Sequence, residues 1–159
     1  LDAGARAQPA PSAQEEAGLE RYIREKVHDW QQSYGTNFSD ARIKLIIRHT
    51  LEQQTDVEVT IEEMQAIQQL VQDFAKKFSA RNELEISFTD GAIDYLAENI
   101  WKEPQDLSAY LKLALQNYGH GLKLIKEKTG KRQFFIPAEG VENPEQFLNS
   151  LIQEAYRKT

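Results

Sequence analysis

Apolar residues recur every three or four positions along most of the chain, and each such run predicts a helix with one buried face. Leu19, Tyr22, Ile23, Val27, Trp30 and Tyr34 form the first stripe, and Gly35 ends it. Ser39 or Asp40 is placed to cap a second helix bearing Ile43, Ile46, Ile47 and Leu51, with Phe38 as a hydrophobic staple before the cap. The acidic, β-branched segment TDVEVT predicts a loop or a short extended piece. Thr60 and Glu63 then match a capping box ahead of a third helix carrying Met64, Ile67, Val71, Phe74 and Phe78, which runs out near SARNE.

The period changes at LEISF, Leu84 to Phe88, where apolar and polar residues alternate and predict a short strand. Thr89 and Asp90 cap a fourth helix containing Ile93, Leu96, Ala97, Ile100 and Trp101, which KEPQD breaks. Asp106 caps a fifth, running through Leu107, Tyr110, Leu111, Ala114, Leu115 and Tyr118. Gly119 and Gly121 predict a break in helix, followed by a short helical piece from Leu122 to Lys128. Thr129 and Gly130 stop that piece, and RQFFIP predicts a second strand from Arg132 to Ile136. NPEQ opens the last helix, with Asn143 as cap and Pro144 at the first helical position, ahead of Phe147, Leu148, Leu151, Ile152 and Tyr156.

The expected class is mainly α, a helical domain with a small two-stranded β ribbon attached. Residues 1–14, LDAGARAQPAPSAQ, read as a flexible linker, 15–60 as a helical hairpin of uncertain affiliation, and 61–159 as a helical domain holding both strands. The chain begins at Leu1, so it is expected to be processed or excised from something longer.

Composition narrows the function classes. There are no cysteines among 159 residues, which excludes a disulfide scaffold, a cysteine nucleophile and any thiolate metal site. The formal net charge of −6 argues against a phosphate-neutralising nucleic-acid binder, so no nucleic-acid partner is expected. No apolar run approaches the roughly 20 residues of a membrane span. A cytoplasmic location is the expectation.

Catalytic signatures are not found. The sequence holds no GxxxxGK[ST] phosphate loop, no GxGxxG turn and no G-x-S-x-G elbow. His28, His49 and His120 are far apart, and none has a second ligand at helical spacing, so no metal site is expected. Asp56, Glu58, Glu62 and Glu63 lack the order of a calcium loop and read as a solvated acidic turn. No catalytic residue is assigned. The one stretch with ligand-binding character is YGHGLKLI, Tyr118 to Ile125. Two glycines permitting positive φ could end one helix and start another, whose unpaired N–H groups beside His120 and Lys123 would suit an anion.

The residues from Leu70 to Trp101, LVQDFAKKFSARNELEISFTDGAIDYLAENIW, resemble the start of the small C-terminal (lid) domain of AAA+ ATPases of the Clp and Lon type. In that family a long helix leads to an extended piece and then to a helix start of the pattern Thr/Ser-Asp-x-Ala-(Ile/Leu), matched by Thr89-Asp90-Gly91-Ala92-Ile93. A later Gly-Ala-Arg-Gly-Leu-Arg type segment places a sensor arginine against the nucleotide phosphates. Gly119, His120, Gly121, Leu122 and Lys123 can be laid on it, and RQFFIP falls where the lid strand belongs. The resemblance covers roughly residues 65–140. It departs from the family at the sensor, where His120 stands for arginine, and in the added stretch KEPQDLSAYLKLALQN.

The resemblance implies a lid that contacts a nucleotide-binding core and couples nucleotide state to assembly. Gly119, His120, Gly121 and Lys123 are then the nucleotide-proximal candidates, and ATP is met only through a separate core domain. By itself the chain is expected to be no enzyme. The alternative is an adaptor-like helical module that binds another protein and is unrelated to ATPases. The expected partner is thus a protein or an ATPase core, with self-association left open.

Overall fold

The computed structural model describes residues 12–157 and comprises eight helices and one two-stranded sheet among them. The elements are α1 (Ala13–Tyr34), α2 (Asp40–Gln53), α3 (Val57–Asn82), β1 (Glu85–Phe88), α4 (Asp90–Lys102), α5 (Leu107–Ala114), α6 (Tyr118–Thr129), β2 (Gln133–Ile136), α7 (Ala138–Glu142) and α8 (Pro144–Arg157). The mainly helical class with one small β element is observed. The chain divides between Glu63 and Met64 into two compact units.

In the first unit, α1 and α2 pack together around Ile23, Trp30, Phe38, Ile43, Ile46 and Ile47, joined by Val57 and Ile61. Trp30 and Phe38 hold their ring centroids 6.3 Å apart, so the residue before the second helix closes onto the first. Gly35 ends α1 in the left-handed region at φ 62°, where glycine bears no Cβ penalty. Ser39 caps α2 by accepting from the Arg42 N–H. Arg42 is fully buried, and its guanidinium donates to the Asn37 carbonyl at 3.2 Å.

Two expectations change here. Residues 1–11 of the expected linker lie outside the described residues, but Ala13 and Gln14 are helical. A capping box explains it: Ser12 accepts from the Glu15 N–H, and Glu15 accepts from the Ser12 N–H. The third helix starts at Val57, so most of TDVEVT is helix and not loop. Thr60 is no cap, because it is fully buried and its hydroxyl takes the proton of Thr50 at 2.8 Å.

In the second unit, β1 and β2 pair in parallel, with Glu85 opposite Gln133 and Phe88 opposite Ile136. Ile86, Phe134 and Ile136 turn inward and are buried, whereas Ser87 and Phe135 face out. Thr89 caps α4 through the Ala92 N–H, and Asp106 caps α5 through the Ala109 N–H. Helices α6 and α8 pack on each other, and the short α7 packs against both α4 and α8. The core runs through Val71, Leu96, Leu111, Leu122, Ile136 and Val141. The five-residue α7 is additional to the expected order, since so short a helix shows no apolar period.

Candidate functional site

The expected break at Gly119–Gly121 lies earlier. Helix α5 ends at Ala114, a turn follows, and α6 already begins at Tyr118. Both glycines therefore stand in the first turn of a continuous helix, and among the described residues positive-φ glycines occur only at Gly35 and Gly130. Their role is steric. A Cβ at Gly121 would fall 2.7 Å from Leu148 Cδ2, and one at Gly119 would fall 2.7 Å from Asn82 Oδ1. Asn82 is itself held by its Nδ2 donating to the Phe78 carbonyl at 2.9 Å.

The four candidate residues do not converge. Gly121 is buried against α8, Gly119 borders the end of α3, and His120 and Lys123 point to solvent. His120 and Lys123 share a helix face at a spacing of three residues. Asn117, at the cap of α6, makes no side-chain capping bond. The nearby depression at the starts of α6 and α8 is lined by Glu142 and Glu145 along with Asn117 and Asn143, which disfavours an anion there.

The tyrosine that opens the same helix has a structural role. Tyr118 is buried, and its hydroxyl donates to the Gly140 carbonyl at 2.7 Å. Burial first, and the Glu139 charge second, push its pKa well above the ordinary phenol value. This bond ties the start of α6 to α7, next to Gly140, where a Cβ would meet Ile136 at 2.9 Å.

A different feature has the shape of a binding site. Between α3 and β1 lies a cleft of about 450 Å³. Val71 and Ala75 of α3, with Ile86 and Ile93, give it an apolar floor; Gln72, Lys76, Glu85 and Ser87 form its rim. At one end Ser79 closes it, its hydroxyl accepting from the Ile86 N–H at 2.9 Å. Sequence reading missed this cleft. Its one sequence signal is a four-residue strand in a two-stranded sheet, which must leave an edge uncovered by other strands.

In the first unit, His49 is nearly buried, with Nε2 3.2 Å from Glu63 Oε1. No group of three or more histidine, aspartate or glutamate side chains suited to a metal occurs among the described residues. No helix among them is long and apolar enough to cross a membrane.

Comparison with known proteins returned no match: no protein-family model, no curated protein and no solved structure aligns significantly with this chain.

Proposed function

We propose that this chain is a non-catalytic helical domain whose work is contact with another protein. The observation that carries the reading is the β1 edge, which no other strand among the described residues covers, beside a cleft with apolar residues at its base and a polar rim, a combination that suits protein recognition. The test is in vivo cross-linking of the parent protein, followed by titration of the purified cross-linked partner against the purified chain. Saturable micromolar binding supports the reading. Turnover of ATP by the isolated chain would sink it.

A second reading, the lid of an AAA+ ATPase, is favoured by one specific observation. The two strands expected from the lid resemblance pair with each other, and Thr89 caps the helix that follows the first. On this reading His120 and Lys123 are the residues that approach nucleotide held by a separate core, with a histidine offering fewer donors than the arginine it replaces. Calorimetry with ATP and magnesium should show no micromolar binding to the isolated chain. An assembled ATPase containing it should lose nucleotide coupling when His120 and Lys123 are both changed to alanine. An unchanged response would remove the lid reading and leave the contact reading in place.

A further inference from the structure

We infer that the outer edge of β2 pairs with the same edge of a second copy of this chain, antiparallel across a two-fold axis at Phe134, so that two ribbons join into one four-stranded sheet. The inference goes beyond the contact reading and uses the side of the sheet away from the cleft.

The backbone defines the edge. The Glu85 N–H donates to the Arg132 carbonyl at 2.8 Å and the Thr89 N–H to the Ile136 carbonyl at 3.0 Å, so the even-numbered residues of β2 turn their backbone groups toward β1. Gln133 and Phe135 turn theirs the other way. Their two N–H and two C=O groups make no hydrogen bond among the described residues. Both residues are exposed, Phe135 at 67%. The outer edge of β1 differs, since Ser79 of α3 already takes the Ile86 N–H there. The four residues of β2, Gln133-Phe134-Phe135-Ile136, hold no charge and no proline, the usual guards of a strand edge.

The ends of the strand set the register and the occupant. Across a two-fold axis an edge pairs with itself antiparallel. With Phe134 opposite Phe134 of the second copy, Gln133 exchanges both backbone bonds with Phe135 of that copy, and Phe135 with its Gln133, so all four groups of each edge are used. An axis at Phe135 would instead set Gln133 against Pro137, which has no N–H and whose carbonyl is taken by the Gly140 N–H at 2.9 Å. An axis at Gln133 would set Phe135 against Lys131, whose N–H is taken by Thr129 Oγ1 at 3.1 Å. Charge agrees with this order. Lys131 and Arg132 precede the strand and Glu139 follows it, and all three are exposed and make no ion pair among the described residues. Antiparallel pairing brings the basic end of one strand to the acidic end of the other, twice per dimer, so the strand is complementary to itself. The two Phe135 rings then lie on the diagonal of the outer face, within reach of each other.

The test is sedimentation of the full chain from low micromolar to millimolar concentration, where a reversible monomer–dimer equilibrium is expected. In a mixture of isotope-labelled and unlabelled chains, the Phe134 Hα should show a nuclear Overhauser contact to Phe134 Hα of the second copy, the close approach of an antiparallel non-hydrogen-bonded pair. Gln133→Pro removes an outward donor and leaves the backbone bonds to β1 in place. It should raise the dissociation constant about tenfold, since two hydrogen bonds are lost per dimer. Phe135→Lys, at an exposed position, should weaken the dimer as well by placing like charges on the diagonal, and it keeps the test decisive if the proline variant does not fold. Lys131→Glu and Glu139→Lys should each raise the constant about fivefold, the size expected of an exposed ion pair, and the double reversal should recover the parent value. A chain that stays monomeric at millimolar concentration overturns the inference. So does a dimer indifferent to Gln133→Pro and Phe135→Lys, or one without the Phe134 contact. A monomeric chain whose Gln133 to Phe135 amides shift on adding a purified partner overturns it too, because the edge would then belong to that partner, as the contact reading allows.

Discussion

Gly121 and Leu148 are packed so closely that a methyl group on the glycine would lie 2.7 and 2.8 Å from the two Cδ atoms of the leucine. Alanine is favoured over glycine in a helix by about 1 kcal/mol, but overpacking a closed contact costs roughly 1–3 kcal/mol. Leu148 is itself buried, so it has little room to yield. Gly121→Ala should therefore lower the urea midpoint. The same change in a Leu148→Ala background should be neutral or stabilising, because the obstructing atoms are gone. A simple sum of the two single effects would show that the pair is not in contact.

Tyr118→Phe removes the donor to the Gly140 carbonyl and leaves that buried acceptor unpaired. The expected loss is roughly 1–3 kcal/mol by chemical denaturation. The phenol also has a pH signature. Its folded pKa is raised above the unfolded value, so its contribution is fully present below about pH 10 and is lost as pH rises above that. The parent protein should lose stability on the alkaline side more steeply than Tyr118→Phe does. Identical alkaline profiles would mean that another group sets the loss.

Thr89→Ala deletes the side chain that accepts from the Ala92 N–H at the start of α4. The loss should be about 0.5–2 kcal/mol, and Thr89→Ser should recover most of it. The strand register should survive, because the Thr89 backbone N–H still donates to the Ile136 carbonyl. Amide exchange across β1 in the alanine variant checks this directly.

His120→Ala and Lys123→Ala should each change stability by less than about 0.5 kcal/mol, since both side chains point to solvent. A thermal or urea titration decides it. A large loss in either variant would place that side chain in a contact the fold depends on.

Much of the architecture was legible because its signals are local. Ser39, Thr89, Asp106 and Gly35 act within three or four residues of themselves, and each stands where the pattern put it. What failed to read was decided at a distance. Thr60 looks like a cap, but its hydroxyl belongs to Thr50 on another helix. Gly119 and Gly121 look like a break, because sequence cannot separate a glycine needed for positive φ from one needed to admit Leu148 or Asn82. The four residues expected to share a site were neighbours in sequence; on a helix, successive residues point in different directions, and only His120 and Lys123 stay together. The cleft was illegible for a related reason. Which edge of a strand stays open depends on which side its partner takes, and alternation along LEISF says only which face is buried.

The parallel pairing of β1 with β2 bears on how this chain can be made. Glu85 and Gln133 stand 48 residues apart in sequence, yet they are hydrogen-bonded neighbours. No hairpin can nucleate that contact, and the loop it closes must contain α4, α5 and α6. During synthesis, a nascent chain still short of Ile136 can form α4, α5 and α6 but holds no complete partner strand for Ile86 and Phe88. Release of the segment through Ile136 from the ribosome is thus the earliest moment at which the sheet can close, and until then β1 lacks its partner and is exposed to pairing with the wrong strand.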